Sequence, residues 1–127
     1  MNLPIIKNNL KRNKMNARKE FLEHIQKDNS GVLCAYIKFD DGKGYFITTG
    51  YTKDEWDQFL SDIDRVYDDG YGGQELFGTI WFNSGYWSTR GEYDGSEWWR
   101  YNKVPEIPYN LNRVDKVRDI KIDSILK

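Results

Sequence analysis

The sequence predicts an α+β fold: a mainly antiparallel sheet of about five strands with an amphipathic helix packed on one face. Residues alternate between apolar and polar in the stretches 32–49 and 76–102, which is typical of strands. Asp-Gly and Asn-Ser-Gly sequences separate these stretches and favour hairpin turns. Between them lies a helical stripe of apolar residues. Strands and helices segregated in this way indicate the α+β class.

The first helix is predicted over residues 17–27. Asn16 precedes it and supplies a side-chain acceptor for an N-cap. Phe21, Leu22 and Ile25 share one side of this helix, so that side is expected to face the core.

A hairpin is predicted next, with strands over Val32–Phe39 and 45–49 joined by an Asp-Gly turn. The first strand has one face that is apolar throughout. That face is formed by Leu33, Ala35, Ile37 and Phe39.

The strongest helix signal covers residues 52–68. Thr52 and Glu55 form a capping box, in which each side chain accepts a hydrogen bond from the other residue's backbone N–H. Apolar side chains then recur at three- and four-residue steps and make one broad stripe. They are Trp56, Phe59, Leu60, Ile63, Val66 and Tyr67.

Residues 78–99 hold four of the five tryptophans and are predicted to form a three-stranded meander. A three-residue turn ending at Gly85 places Trp81 opposite Trp87. For the second hairpin, a two-residue Asp94-Gly95 turn would set two glutamates opposite each other, which is repulsive. The predicted register instead pairs Arg90 with Trp98 and Thr89 with Trp99.

This register divides the meander into two faces. One face is predicted to gather Trp81, Trp87, Trp99 and Tyr101 beneath the helix. The opposite, charged face is predicted to hold Arg90, Glu92, Trp98 and Arg100.

The domain organisation follows from these elements. Residues 1–15 are predicted to be a flexible basic arm, 16–112 a single α+β domain, and 113–127 a C-terminal tail for which helix and strand both remain open. Prolines after residue 104 cannot continue a central strand, so the sheet is expected to end there.

Composition excludes several classes of function. The chain has 19 basic and 20 acidic residues and a net charge of −1, which disfavours nucleic acid as the partner. One cysteine permits no intramolecular disulfide, in keeping with the cytoplasm. No apolar run approaches the ~20 residues of a membrane span. With one histidine and one cysteine, a closed zinc site is not expected; no cofactor or metal is predicted.

Catalytic residues are not predicted either. His24 is the only possible imidazole base, and it is expected to be a surface or edge histidine. Glu92, Asp94 and Glu97 lie close together beside Arg90 and allow two interpretations. They could supply the acid and base of glycoside cleavage, or they could form a turn whose charges are neutralised by the arginine.

The stretch 78–108 resembles a sequence motif found in small uncharacterised proteins of tailed bacteriophages. The matching residues are Gly78, Ile80, Trp81, Trp87, Arg90, Gly91, Glu92, Tyr93, Asp94, Gly95, Trp98, Trp99, Pro105, Ile107 and Pro108. The resemblance implies a phage or prophage accessory protein acting in a host bacterial cytoplasm. Such proteins often bind and disable a host enzyme or a defence complex, as an anti-CRISPR inhibitor does.

The first functional hypothesis is therefore a non-catalytic protein that binds and inhibits a bacterial protein or protein complex. Its predicted contact surface is acidic and includes the meander. The residues are Asp54, Asp57, Asp62, Asp64, Asp68, Asp69, Arg90, Glu92, Tyr93, Trp98 and Arg100. The second hypothesis is stacking of single-stranded nucleic acid or glycan on a surface formed by Trp98, Tyr93, Arg90 and Arg100. The third is a small hydrolase that uses Glu92 or Glu97.

Overall fold

The computed structural model describes residues 13–69 and 73–111. These residues contain seven strands and two α-helices, with short 3-10 turns at Ile25–Lys27 and Tyr109–Leu111. The strands are β1 (Asn13–Asn16), β2 (Val32–Phe39), β3 (Gly44–Ile47), β4 (Val66–Asp69), β5 (Leu76–Phe82), β6 (Trp87–Tyr93) and β7 (Ser96–Asn102). The helices are α1 (Ala17–His24) and α2 (Lys53–Asp62).

Five strands form one antiparallel sheet in the order β3-β2-β5-β6-β7, and β1 pairs with β4 in a second, two-stranded sheet. The predicted α+β class is therefore confirmed. Neither described helix is both long and apolar enough to cross a membrane.

Both helices pack on the same face of the large sheet, which we call the inner face. Phe21 of α1 lies 5.5 Å from Phe59 of α2 and 6.4 Å from Trp99 of β7, measured between ring centroids. Ile37 and Ile80 from the two central strands are fully buried beside them. Each such side chain contributes about 1.5–3 kcal/mol on burial, so this layer is the hydrophobic core.

The start of β2 differs from the prediction. The pairing with β5 shifts register between Val32 and Cys34, as at a β-bulge. The extra residue shifts by one position which side chains of β2 point toward the inner face. Val32 is consequently 5% exposed and Leu33 is 39% exposed, so Leu33 does not share the buried face of Ala35, Ile37 and Phe39 as the alternation indicated.

The second helix is shorter than predicted. The capping box of Thr52 and Glu55 is present, but α2 ends at Asp62, and the Ile63 N–H closes it by bonding to the Phe59 carbonyl. Val66 and Tyr67 lie in strand β4 instead. The helical spacing of these two residues was misleading because pairing with β1, distant in sequence, fixes their backbone.

Part of the predicted N-terminal arm is structured. Asn13–Asn16 forms β1, whose register with β4 sets Met15 opposite Tyr67. The prediction of a flexible arm over residues 1–15 was therefore wrong for its last three residues. Residues 1–12 of the arm and the predicted tail, 113–127, lie outside the described residues.

The β6–β7 hairpin adopts the register that the sequence analysis rejected. Asp94 and Gly95 both have positive φ, 53° and 86°, as a two-residue type I′ turn requires. Glu92 is thus opposite Glu97, and Arg90 is opposite Trp99. Repulsion between the glutamates is avoided because each carboxylate has partners of its own: Glu92 accepts from the Gly95 N–H, and Glu97 pairs with Arg90.

The faces of the meander change with this register. Trp81 does pair with Trp87, as predicted. However, of the four aromatic residues expected on one covered face, only Trp99 and Tyr101 lie on the inner face, where Arg90 joins them. Trp81 and Trp87 lie on the opposite face, which no described helix covers.

Candidate binding surface

The outer face of the large sheet carries the largest uncovered aromatic area among the described residues. Seven of its side chains are aromatic, and six of them are at least 40% exposed: Phe46, Trp81, Tyr36, Phe77, Tyr93 and Trp98; Trp87, the seventh, is half-buried. None of the seven makes a ring contact with another described residue. By contrast, the aromatic rings of the core contact one another at the usual centroid distances.

Strand register arranges the outer face in rows that cross the sheet. The middle row runs from β3 to β7 and consists of Phe46, Tyr36, Thr79, Thr89 and Arg100. Neighbouring strands lie about 4.8 Å apart, so this row spans about 20 Å.

A second row lies beside the first and consists of Cys34, Trp81, Trp87 and Asn102. The Asn102 amide donates to Thr89 Oγ1 at 3.3 Å and so ties the two rows together. The threonine hydroxyls at the centre are thereby bordered by indole rings on one side.

Two glycines let aromatic rings lie flat on this face. A Cβ atom at Gly91 would stand 2.8 Å from Cε2 and Nε1 of Trp98, the residue directly across the hairpin. In the same way, a Cβ at Gly44 would stand 3.2 Å from the ring of Tyr36. The rings therefore cover bare backbone and present their free faces to solvent.

The charges on the two sides of the molecule differ. Among the described strand residues of the outer face, Lys38 and Arg100 are charged and none is acidic. Acidic side chains are concentrated on α2 and the residues that follow it. The outer face is thus a flat aromatic surface with two positive charges and a polar centre.

The predicted acidic residues lie elsewhere and mostly have partners within the chain. Lys53 Nζ is 2.8 Å from Asp57, and Lys14 Nζ is 2.9 Å from Asp68. Asp62 accepts from Gln58 Nε2 and Asp64 accepts from Asn16 Nδ2, both at 2.8 Å. Asp54 is exposed in the first turn of α2, and the side chain of Asp69 lies outside the described part.

The other predicted site residues are divided between the two faces. Tyr93, Trp98 and Arg100 are exposed on the outer face, and Tyr93 is 77% exposed. Arg90 is buried on the inner face, and the Glu92 carboxylate accepts the Gly95 N–H at 2.8 Å. The structure therefore brings together three members of the predicted set and separates them from the acidic residues.

Arg90 belongs to a buried polar network. Its guanidinium lies 3.0 Å from Glu97 Oε1 and 3.2 Å from Glu20 Oε1, and it donates to Tyr67 Oη at 2.9 Å. Burial by itself would lower the pKa of Arg90, but the neighbouring Glu20, Tyr67 and Glu97 outweigh it and raise that pKa. The arginine therefore stays charged, and its role is to join α1, β4, β6 and β7.

The carboxylate of Glu97 is engaged on its other side as well. It accepts the backbone N–H groups of Glu75 at 2.6 Å and Leu76 at 3.0 Å. The catalytic acid of a glycosidase must contact the substrate. Glu97 is only 2% exposed, so its carboxylate is not accessible to a substrate.

His24 was predicted at the surface, and this was wrong: it is 7% exposed and its Nε2 lies 2.6 Å from Oγ of the fully buried Ser88. Its ring also stacks against Trp99. Burial, followed by the charges of Lys27 and Arg90, lowers the pKa of His24 to about 4. The imidazole is therefore neutral at pH 7, and the buried Ser88 hydroxyl is closed to a substrate.

This pKa predicts how stability depends on pH. Below pH ~6.5, His24 binds a proton in the unfolded chain, whereas in the folded chain it stays neutral down to about pH 4. The free energy of unfolding should therefore fall as pH drops from ~6.5 to ~4, by at most about 3 kcal/mol from this residue. Urea denaturation across that range measures the slope. A His24→Gln variant should lose this part of the slope, and an unchanged slope would contradict the assignment.

Sequence reasoning missed most of the outer face. Tyr36, Phe46, Phe77, Trp81 and Trp87 were not among the predicted contact residues. A signal was present, because Phe77 and Trp81 alternate with Leu76, Ile80 and Phe82 along one strand, so both faces of it are apolar. Which apolar face is covered depends on the helices, and the alternation alone does not decide it.

Comparison of the chain with protein-family models, curated proteins and solved structures finds no match.

Proposed function

We propose that this is a non-catalytic binding protein whose contact surface is the outer aromatic face. The observation that carries the proposal is the set of seven aromatic side chains that make no ring contact among the described residues, on a face that no described element covers. Contiguous apolar patches of this kind mark interaction sites on soluble proteins.

A protein is the partner that best fits this composition. Tryptophan, tyrosine and arginine are the residues that most often dominate the binding energy at protein interfaces. A flat face of about 20 Å by 20 Å matches the centre of a standard interface, which buries about 800 Å² on each side. Lys38 and Arg100 favour a partner that places carboxylates near an apolar centre.

Single-stranded nucleic acid fits less well. Stacking would be available on Trp81, Trp87 and Trp98. However, two basic side chains can neutralise only about two phosphates, which would give a salt dependence with a logarithmic slope of about −1.4. The described part of the chain also has more acidic than basic residues and would repel the phosphate backbone.

The finer proposal is that the partner is a bacterial host or defence protein and that binding inhibits it. Its support is the resemblance of the stretch 78–108 to phage proteins. An outer face used for binding is compatible with that role, because covering a partner's functional surface requires contact area and no catalytic group.

The test compares captures from bacterial lysate by three baits: the natural chain, a Trp81→Ser/Trp98→Ser variant, and an Asp54→Lys/Asp57→Lys variant. Proteins captured by the natural chain should fall by at least about tenfold with the tryptophan variant, since interface anchors of this type cost 2 kcal/mol or more when truncated. The aspartate variant should retain them. Thermal melts of all three baits control for folding.

The reverse pattern, with loss only in the aspartate variant, would show that the acidic surface of α2 is the contact site. Titration of tryptophan fluorescence with single-stranded oligonucleotides and with oligosaccharides tests the alternative ligands. A saturable response that disappears in the Trp81→Ser/Trp98→Ser variant would replace the protein partner with that ligand class.

A further inference from the structure

The segment that follows β7, residues 103–111, is apolar and exposed, and we call it the exit segment. Its first part, residues 103–108, lies within the described part of the chain, forms no helix, strand or turn there, and is exposed throughout. Val104 is 55% exposed, Ile107 58% and Leu111 65%. Single exposed aliphatic residues are ordinary on a protein surface, but three in one short segment indicate a contact segment.

Two prolines hold the first part of the exit segment straight. A residue that precedes proline is restricted to extended or polyproline II conformations, and this applies to Val104 and Ile107. Each residue in such a conformation advances the chain by about 3.1 Å, so residues 103–108 span about 19 Å. The exit segment therefore leads away from β7 and does not fold back over its own sheet.

The exit segment and the outer face are complementary in charge and in length. Among the described strand residues of the outer face, Lys38 and Arg100 are charged and none is acidic, whereas the exit segment places Glu106 between its two prolines. Aromatic surfaces commonly bind extended segments that contain proline, because such segments lose little conformational entropy on binding. The straight part of the segment also matches the ~20 Å width of the face.

We propose that the outer face binds the exit segment of a second copy of this chain, and that two copies exchange these segments reciprocally around a two-fold axis near Asn102. Asn102 ends β7 opposite Trp87 in the outer-face row, so the exit segment begins where the face ends. Reciprocal exchange closes the assembly at two copies, and closed two-fold dimers are the commonest protein assemblies. The inference rests on the proposed function, since both use the same face, and it adds that a partner must displace the exit segment.

Distances along the chain select the ion pair of this dimer. Glu106 lies about 12 Å beyond Asn102 along the extended segment. Arg100 lies about 7 Å before Asn102 along β7, whereas Lys38 lies on β2, three strands and about 14 Å across the sheet. Crossing near Asn102 therefore brings Glu106 close to Arg100 of the second copy and leaves it far from Lys38. Within one copy, the straight segment carries Glu106 away from its own Arg100.

The first experiment measures the mass of the full chain by sedimentation over a hundredfold range of concentration. We expect a reversible dimer of twice the 15.1 kDa chain mass. Ile107→Ser should weaken dimerisation at least tenfold. Val66→Ser is the matched control, because Val66 is 59% exposed, almost as Ile107 is, but belongs to β4 of the small sheet. A monomer at all concentrations, or an Ile107→Ser variant as dimeric as the natural chain, would overturn the proposal.

The second experiment tests the exchange through its charges. Glu106→Arg and Arg100→Glu should each weaken dimerisation about tenfold, since either change turns both ion pairs of the dimer into repulsive pairs. An equimolar mixture of the two variants should dimerise again, because opposite charges then meet at both contacts. Lys38→Glu is the control and should leave the dimer unchanged. A mixture as monomeric as the separate variants would exclude reciprocal exchange.

Capture from bacterial lysate separates this inference from the proposed function. Ile107→Ser alters the exit segment and leaves the outer face intact, so the variant should lose the dimer and capture at least as much partner protein as the natural chain. A monomeric natural chain whose capture still depends on Trp81 and Trp98 would overturn the exchange and leave the proposed function standing. A dimer whose captured proteins are unaffected by the tryptophan variant would overturn the proposed function instead.

Discussion

Replacing Arg90 with methionine is expected to lower the free energy of unfolding by about 3–5 kcal/mol, the usual cost of removing one partner of a buried ion pair. The side chain of Arg90 is 2% exposed and lies between the carboxylates of Glu20 and Glu97. Without it, the buried Glu97 carboxylate loses the guanidinium that lies 3.0 Å away, although it still accepts the backbone N–H groups of Glu75 and Leu76. Urea denaturation at pH 7 measures the change.

The matched control is Arg100→Met. Arg100 belongs to the neighbouring strand but is exposed on the outer face, so its replacement should change stability by no more than about 0.5 kcal/mol. An Arg90→Met/Glu97→Gln variant should be more stable than Arg90→Met alone, since it also removes the buried negative charge that Arg90 balanced. A loss below about 1 kcal/mol in Arg90→Met would contradict the structural role of the network.

Replacing Gly78 with alanine is expected to destabilise the protein by about 3 kcal/mol or more, the upper range for overpacking. A Cβ at this position would lie 2.4 Å from the backbone oxygen of Tyr36 and 3.1 Å from the Trp99 ring. The backbone oxygen belongs to the central strand β2 and cannot move aside without breaking its pairing with β5.

Intrinsic propensity predicts the opposite sign for this change, because alanine in a strand interior is normally favoured over glycine by about 0.5–1 kcal/mol. Gly73→Ala is the control, since nothing lies within 4 Å of a Cβ built there. Thermal and urea unfolding of both variants give the comparison. If Gly78→Ala were as stable as the natural chain, the close packing of Trp99 on β5 would be incorrect.

These two predictions assign structural roles to much of the stretch 78–108. Gly78 makes room for Trp99, Arg90 pairs with Glu97, and the Asp94-Gly95 turn sets the register between them. Residues of that stretch left without such a role include the exposed Trp81, Tyr93 and Trp98. That division directs the search for function toward the outer face.

The sequence contained enough information for the local elements. Thr52 with Glu55 marked the start of α2, Asn16 capped α1, and the Gly85 turn fixed Trp81 opposite Trp87. In each of these cases the determining interaction joins residues a few positions apart, so the local pattern is sufficient.

Predictions that depended on distant neighbours were less successful. Val66 and Tyr67 continue a helical stripe in the sequence, yet they form a strand because β1 pairs with them. The sequence indicated that Glu92 opposite Glu97 would be repulsive. In the structure, Arg90 and the backbone N–H groups of Glu75 and Leu76 all bind the Glu97 carboxylate. His24 is a core residue because its imidazole shares a hydrogen bond with Ser88, which lies 64 positions away in the chain.

The sequence by itself determined the fold class, the positions of the hairpin turns, the helix starts and the presence of an aromatic meander, since alternation and capping act over a few residues. Only the tertiary structure decided which face of the sheet the helices cover. Both faces of β5 are apolar, so the choice depends on where α1 and α2 dock, and that docking is fixed by contacts between residues far apart in the chain.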